Sequence, residues 1–158
     1  MPEPNKKEGK VARRTFFSFN YKKDIWRVNQ IRNIPNVIGT AAAGFQDASL
    51  WEEAEKKGDA VIKRMIDNAL THTTVTVVCI TYGTVSRKYI NYEIDKSLER
   101  GNGLLGLKIH HLKDRDQETT SEGAVPSQIA KQGFKTYKYS NIDRLAVWIE
   151  EAAELAGK

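Results

Sequence analysis

The sequence is poor in cysteine and has no long apolar run. Its 158 residues include a single cysteine, Cys79, so no disulfide can form within the chain. Cys79 stands between Val78 and Ile80, which predicts a buried and unreactive thiol. The most apolar stretch, residues 75–82, is far too short to cross a bilayer. The composition therefore excludes an internal disulfide framework and favours one compact domain with its own hydrophobic core.

Positively charged residues are not concentrated in one segment of the chain. The net charge is +5, and lysines and arginines are scattered as short pairs, a distribution that disfavours nucleic acid as a partner. Residues 1–14 are polar and basic and lack an apolar h-region. We therefore expect no secretory signal, and a cytoplasmic protein with no membrane partner. We expect residues 1–13 to form a disordered basic tail and residues 14–158 to form one domain.

Strand-like and helix-like segments alternate along the chain. Runs rich in β-branched and aromatic residues predict strands at 14–19, 74–82, 104–111 and 136–139, and a short strand within 37–45. The segments between most of these runs carry apolar residues at helical spacing. The almost continuously apolar run at 74–82 is typical of a central parallel strand covered on both faces. The alternation predicts an α/β fold with a five-stranded parallel sheet and helices on both of its faces.

Capping residues and breakers mark the ends of the predicted helices. Pro35 should end the first helix, Asp47 or Ser49 can cap the second, and Asn141 should cap the last. Gly58 falls inside the second helical pattern and predicts a break between two helices. The expected inward-facing residues are Ile25, Val28, Ile31 and Arg32 in the first helix, and Leu145, Val147, Trp148, Ile149, Ala152 and Leu155 in the last.

Residues 101–106 match the spacing of the dinucleotide fingerprint G-x-G-x-x-G. In that fingerprint the glycines follow a strand and open a helix, so that backbone amides meet the pyrophosphate. Here a helix predicted over residues 87–100 precedes the match, and a strand follows it. We therefore interpret Gly101 as a helix cap that leads into a tight turn.

Signatures of several other sites are missing. The histidines His72, His110 and His111 lack the partner spacing of a zinc site, so we predict no metal, and we expect the last two to face solvent at a strand end. Neither a nucleophile elbow nor a P-loop is present, which removes the usual signatures of acyl transfer and NTP hydrolysis. The polar segment 112–134 is long for a connection and indicates a lid, a binding loop or a disordered insertion.

Glu93 is the acidic residue with the most informative position. It lies on the helix after the predicted central strand, where open α/β sheets place their ligand crevices. The helix buries Ile90 and Ile94 at a spacing of four, and Glu93 flanks that stripe with Tyr89 one turn earlier. Two interpretations follow: Glu93 and Tyr89 border one pocket, or Glu93 forms a surface salt bridge with Lys96. Spacing alone does not choose between them.

Four stretches of the chain resemble a TIR-like domain, and more narrowly the TIR-like signalling subunit of the bacterial Thoeris antiphage system. They are RTFFSF at 14–19 with Tyr21 and residues 24–27, DASLW at 47–51, RKYINYE at 87–93, and SLERGNGLLG at 97–106. Their order and spacing together carry the resemblance, which spans about residues 14–158. It implies a TIR-like, flavodoxin-like fold of three layers with a parallel five-stranded sheet.

The resemblance also implies an active site. Enzymatic TIR domains cleave the nicotinamide–ribose bond of NAD with a glutamate on the helix after the third strand, and Glu93 matches that position. The family often has tryptophan four residues earlier, where this chain has Tyr89. The resemblance also implies residues that bind substrate, some from the first-strand motif of the family and others from their position near strand ends. They are Phe19, Asn20, Tyr21, Asp47, Trp51, Tyr82 and Tyr89.

The implied chemistry needs few groups. Cationic nicotinamide is a good leaving group, and a carboxylate can stabilise the oxocarbenium-like ribose that it leaves behind. The resemblance implies NAD as substrate with no further cofactor, a cyclic ADP-ribose isomer as product, and a separate effector protein that this diffusible nucleotide activates. It also raises homo-oligomerisation as a condition for activity. The alternative is a non-enzymatic TIR-like or receiver-like interaction module in which Glu93 is structural.

Overall fold

A computed structural model describes residues 13–32, 42–43 and 48–158. Within them, parallel strands form one sheet in the order β2-β1-β3-β4-β5. The strands are β1 (Thr15–Ser18), β2 (Ala42–Ala43), β3 (Val75–Ile80), β4 (Gly103–Lys108) and β5 (Thr136–Lys138). The helices are α1 (Ile25–Arg32), α2 (Ala48–Lys57), α3 (Asp59–Leu70), α4 (Lys88–Glu99), α5 (Ser127–Lys131) and α6 (Ile142–Leu155). The predicted α/β class and parallel sheet are confirmed, and β3 is central as predicted.

Four of the strands have three or more residues, whereas β2 has only two. β2 falls inside the short strand predicted within 37–45, and each of the others is shorter than the run that predicted it. All six residues of β3 are buried. A strand with no exposed side chain fits a position that is covered on both faces of the sheet.

Helices cover both faces of the sheet. Ser18 of β1 pairs with Val78 of β3, and both side chains face α4. On the opposite face α6 packs against β3 and β4. A side chain at Gly103 of β4 would overlap the Ala152 carbonyl of α6, so strand and helix approach here as closely as backbones can. The glycines at 101–106 thus serve a helix end, as the sequence predicted, and close packing of β4, which it did not predict.

Capping signals are confirmed at Gly58, Gly101 and Asn141, whereas Ser49 is wrong as a cap because α2 begins at Ala48 and Ser49 lies inside it. Gly58 separates α2 from α3 and has a positive φ of 101°. Gly101, with φ 79°, follows α4, and the Asn102 amide then bonds the Ser97 carbonyl. The Asn141 side chain accepts a 2.9 Å hydrogen bond from the Arg144 amide at the start of α6.

The predicted packing face of α6 is partly wrong. Leu145, Trp148, Ile149 and Ala152 are buried, but Val147 is 60% exposed and Leu155 is 54% exposed. Val147 points to the opposite side of the helix from the buried stripe, and Leu155 is the last residue of the helix. Ala153 is buried as well, because the stripe follows the 3.6-residue period rather than every apolar position.

The long segment 112–134 packs against the sheet and contains α5. Arg27 of α1, which is 1% exposed, donates from Nε to the Leu112 carbonyl and from Nη2 to the Glu118 carbonyl, both at 2.8 Å. A side chain at Gly123 would overlap the Thr81 carbonyl. The segment therefore covers the carboxyl end of β3.

Several expectations lie outside the described residues. They concern the tail at 1–13 apart from its last residue, the helix end at Pro35 and the helix cap at Asp47.

Cys79 is a free and fully buried thiol, and burial raises its pKa, as expected of an unreactive cysteine. None of the helices in the described part of the chain has the length and apolar character that a membrane crossing needs.

Candidate active site

A pocket lies at the carboxyl ends of β1 and β3, where the strand order reverses. β1 has β2 on one side and β3 on the other, and ligands of open α/β sheets bind at such a switch point. The pocket has a volume of about 170 Å³. Its wall comes from the segment after β1, from α2 and from the start of α4, and the lining residues are Phe19, Asn20, Tyr21, Lys22, Trp51, Glu55, Arg87, Lys88, Tyr89 and Ile90.

Aromatic rings form one continuous wall of this pocket. The ring of Tyr21 lies 4.4 Å from that of Phe19 and stacks on that of Trp51 at 4.8 Å, measured between centroids. Trp51 in turn meets the edge of Tyr89 at 5.4 Å. Ring pairs of this kind contribute about 0.5–1.5 kcal/mol each beyond the area they bury, so the wall is held in a defined shape.

Glu93 lies behind this wall and is completely buried. Its Oε1 accepts a 2.5 Å hydrogen bond from the Ser18 hydroxyl, and its Oε2 accepts a 2.7 Å bond from the Tyr21 hydroxyl. Ser18 is the last residue of β1, and Tyr21 is in the turn that follows. The carboxylate of α4 is therefore tied to the first strand and the first loop, and both of its oxygens have partners.

The surroundings of Glu93 favour its neutral form. Burial raises the pKa of Glu93 from 4.5 to about 8, although the hydroxyls of Ser18 and Tyr21 act in the opposite direction. Burial, followed by the neighbouring Glu93 charge, raises the pKa of Tyr21 well above its ordinary value. At neutral pH the site in this conformation therefore holds a phenol beside a largely protonated carboxyl.

The two interpretations of Glu93 from the sequence can now be compared with its contacts. The surface salt bridge with Lys96 is wrong, because Lys96 pairs with Glu99 at 3.5 Å and Glu93 is fully buried. The shared pocket is only partly realised. Tyr89 lines the pocket, whereas Glu93 is one layer deeper and touches the pocket wall through Tyr21.

Positive charge surrounds the pocket mouth. Lys22, Arg87 and Lys88 are lining residues with exposed side chains. Lys22 pairs with Glu55 at 3.2 Å, and Lys88 pairs with Asp59 at 2.9 Å. Within the described residues Arg87 has no carboxylate partner, so its guanidinium is available to an anionic ligand.

The structure brings five of the seven predicted substrate-binding residues to one pocket. They are Phe19, Asn20, Tyr21, Trp51 and Tyr89. Tyr82 does not line it: its ring is 66% exposed beyond the end of β3, and its carbonyl accepts a 2.7 Å bond from Lys23 Nζ. Asp47 lies outside the described residues.

Sequence reasoning missed Ser18 as a site residue. The signal was present, since Ser18 is a hydroxyl residue at the end of a strand whose neighbours Phe17 and Phe19 are apolar. Alternation along a strand puts Ser18 on the opposite face from Phe17. What the sequence could not supply was the identity of the helix on that face, and hence the carboxylate that the hydroxyl contacts.

The histidines do not assemble a site of their own. His110 and His111 are partly buried rather than solvent-facing, and a ring nitrogen of His111 lies 2.8 Å from the Tyr139 carbonyl. The expectation of a solvent-facing ring is wrong for His111, which contacts the segment after β5, and the ring of His110 is only partly exposed. No group of three or more His, Cys, Asp or Glu side chains in the described part of the chain is arranged to hold a metal.

Comparison with known proteins identifies the family of this chain. Residues 16–114, which include Ser18, Tyr21, Trp51 and Glu93, match the family model of the TIR-like domain of the Thoeris protein ThsB. The chain is 41% identical over 133 residues to a Bacillus cereus (strain MSX-D12) protein that bears the name ThsB1 and the proposed activity of a cyclic ADP-D-ribose synthase. That match covers 83% of this chain and 67% of the relative. The chain therefore belongs to the ThsB family of Thoeris TIR-like proteins.

Proposed function

We propose that this protein cleaves the nicotinamide–ribose bond of NAD and closes the product into a cyclic ADP-ribose isomer. The family and the name of the Bacillus cereus relative support this activity. The observation that carries it is the position of Glu93: a carboxyl group directly behind an aromatic pocket at the switch point of the sheet, held by Ser18 and Tyr21.

Glu93 is the catalytic residue of the proposed reaction. When the bond between the ribose anomeric carbon and the nicotinamide nitrogen breaks, its electron pair leaves with neutral nicotinamide and positive charge develops on the ribose. An ionised Glu93 beside the ribose stabilises that charge in a site from which water is largely excluded. No general acid is needed, because the leaving group departs without taking up a proton.

The fate of the ribose cation decides the product. Attack by water, with loss of one proton, gives ADP-ribose. Attack by a nucleophile from the other end of the same molecule, again with loss of a proton where the nucleophile carries one, gives a cyclic isomer. Aromatic rings form one wall of the pocket and limit the water beside the ribose on that side, which favours an intramolecular nucleophile over bulk water.

The size and charge of the pocket suggest how NAD lies. A volume of about 170 Å³ is below the roughly 300 Å³ at which pockets begin to enclose whole drug-sized ligands. We therefore place nicotinamide and its ribose inside, with the pyridinium ring against Trp51 or Tyr21. The diphosphate then lies across the mouth beside Lys22, Arg87 and Lys88.

We further propose that the cyclic product is a diffusible messenger for a separate effector protein. The support is the family assignment, because the chain belongs to the TIR-like proteins of the Thoeris antiphage system. Homo-oligomerisation remains a prediction, which the assay below addresses by varying the protein concentration.

The test is a comparison of NAD incubations by chromatography and mass spectrometry. We expect the wild type to release nicotinamide together with a product of the mass of cyclic ADP-ribose, and Glu93→Gln to release neither. Glu99→Gln is the matched control, because Glu99 is an exposed glutamate on the same helix. Equal turnover by Glu93→Gln and wild type would remove Glu93 from the mechanism. Absence of turnover in the wild type over a range of protein concentrations, with and without phage lysate, would favour the interaction module.

A further inference from the structure

The two hydrogen bonds of Glu93 differ in where their donors lie. The Ser18 hydroxyl belongs to β1 and is fully buried on the α4 side of the sheet. The Tyr21 hydroxyl belongs to a ring that also lines the pocket. One donor is thus fixed in the sheet, and the other stands between the carboxylate and the space that a ligand would occupy.

We propose that Tyr21 is an exchangeable cover of Glu93 and Ser18 its permanent anchor: a ribose hydroxyl of the substrate replaces the Tyr21 hydroxyl on Oε2, while Ser18 keeps its bond to Oε1. This inference rests on the proposed function. It assigns to Ser18 a positioning role and to Tyr21 a role that ends when substrate binds.

The burial of Glu93 makes some exchange necessary. No part of its side chain is exposed, both carboxylate oxygens already have donors, and the residue is not among those that line the pocket. Each oxygen could accept a second hydrogen bond, but the side chain is enclosed, so a substrate in the pocket reaches the carboxylate only if one of the groups that enclose it moves aside. Because Ser18 is part of a strand paired on both sides, the donor that can leave is Tyr21.

The place of Tyr21 in the chain is suited to this movement. It is the first residue of the turn between β1 and α1, and the 2.8 Å bond from the Asp24 amide to the Asn20 carbonyl spans that turn and fixes its backbone, so the movement is a rotation of the Tyr21 side chain. The ring can slide along Trp51, on which it is stacked with an interplanar angle of 25°. Displacement of Tyr21 therefore requires no change in β1 and no break in the anchoring contact of Ser18.

Exchange of one donor for another conserves the hydrogen bonding of the carboxylate. Oε2 accepts one bond from a hydroxyl before and after substrate binds, so no buried acceptor is left unpaired. The ribose that supplies the new hydroxyl is also the group on which positive charge develops. The hydrogen bond that recognises the ribose thus also places Glu93 against the reacting sugar.

The pH dependence of turnover separates the two roles. A hydrogen bond to the ionised form lowers the pKa of a carboxyl group, so loss of either donor should raise the pKa of Glu93 in the free protein. The pH profile of kcat/KM reports the free protein, and the profile of kcat reports the substrate complex. We expect Tyr21→Phe to move the acid limb of kcat/KM to higher pH and to leave that of kcat in place. Ser18→Ala should move both.

Affinities and conservative variants complete the test. Removal of the displaced bond should make Tyr21→Phe bind the non-hydrolysable analogue carbanicotinamide adenine dinucleotide up to about tenfold more tightly, the size of one hydrogen bond. Ser18→Ala should lower kcat more than it changes KM, and Ser18→Thr, which keeps the hydroxyl, should restore kcat. An acid limb of kcat that moves equally in Tyr21→Phe and Ser18→Ala would overturn the exchange. So would equal or weaker analogue binding by Tyr21→Phe.

A measurement without turnover separates failure of this inference from failure of the proposed function. Carbon-13 titration of the Glu93 carboxyl can be followed in wild type and Tyr21→Phe, with and without the bound analogue. We expect the two proteins to differ when free and to agree when bound. A difference that persists in the bound state overturns the exchange even if NAD is consumed. Unchanged turnover in Glu93→Gln overturns the proposed function instead.

Discussion

The ring of Tyr21 separates Glu93 from the pocket, and the Tyr21 hydroxyl donates a 2.7 Å hydrogen bond to Glu93 Oε2. The carboxyl that the chemistry requires is therefore kept out of water in this conformation. Complete burial of Glu93 has a measurable consequence for stability, because the unfolded chain ionises this group at a much lower pH than the folded protein does.

We predict that the stability of the wild type falls relative to that of Glu93→Gln as the pH rises from about 4.5 to about 8. Below this window Glu93 is protonated in both the folded and the unfolded chain, so its full contribution to stability is present. Within the window Glu93 has lost its proton only in the unfolded chain, and this ionisation favours unfolding. Above pH 8 the difference should reach a plateau on the order of a few kcal/mol.

Urea unfolding of both proteins at a series of pH values measures this difference. Glu99→Gln, at an exposed position of the same helix, should parallel the wild type at every pH. A difference between wild type and Glu93→Gln that does not change with pH would mean that Glu93 titrates normally in the folded protein.

Arg27 should be a main support of the carboxyl edge of the sheet. It donates to Asp24 at 2.8 Å with both side chains buried, and it also bonds the Leu112 and Glu118 carbonyls. Asp24 in turn accepts from the Thr81 hydroxyl at 2.6 Å. Arg27→Met removes the cation from the buried Asp24 carboxylate, which keeps the Thr81 hydroxyl as a donor, and should lower the free energy of unfolding by about 3–5 kcal/mol.

The control for Arg27 is Lys96→Met, which removes the cation of the exposed Lys96–Glu99 pair and should change stability by less than about 1 kcal/mol. In a double-mutant cycle, Asp24→Asn combined with Arg27→Met should destabilise less than the sum of the single changes. Additive effects would show that the two side chains do not act as a pair.

Arg87 should bind the diphosphate of NAD at the pocket mouth. We predict that Arg87→Gln raises KM for NAD about five- to tenfold with kcat little changed, because one charge-assisted bond to a group remote from the reacting carbon is lost. The effect should shrink as salt is added. Arg64→Gln, an exposed arginine on α3 that does not line the pocket, is the control. A fall in kcat with unchanged KM would contradict this placement.

Gly103 and Gly106 offer a comparison of two tight contacts in β4. A methyl group at Gly103 would overlap the backbone carbonyl of Ala152, whereas one at Gly106 would overlap the side chain of Thr136. A side chain can turn away and a backbone cannot. Gly103→Ala should therefore be destabilised by about 1–3 kcal/mol, and Gly106→Ala by less. Thermal unfolding of the two variants gives the order, and the reverse order would contradict the packing described for α6.

Local chemistry in the sequence was sufficient for several helix ends. Asn141 supplies a helix cap within its own turn, and Gly58 and Gly101 adopt positive φ angles that other residues rarely take. The same local view failed for Val147, Leu155 and His111, whose exposure depends on what lies opposite them. An apolar residue in a helix is buried only if a neighbouring element covers that side.

The sequence by itself determined the α/β class, the central strand and the helix that carries Glu93, because residue spacing along one element follows from its backbone period. Only the tertiary structure decided which groups meet. Ser18 and Glu93 are 75 residues apart in the chain and 2.5 Å apart at their oxygens. Their contact, and the ring of Tyr21 that covers it, arise from the pairing of β1 with β3 and the packing of α4 on that face. Contacts between elements depend on register and packing, which no single segment encodes.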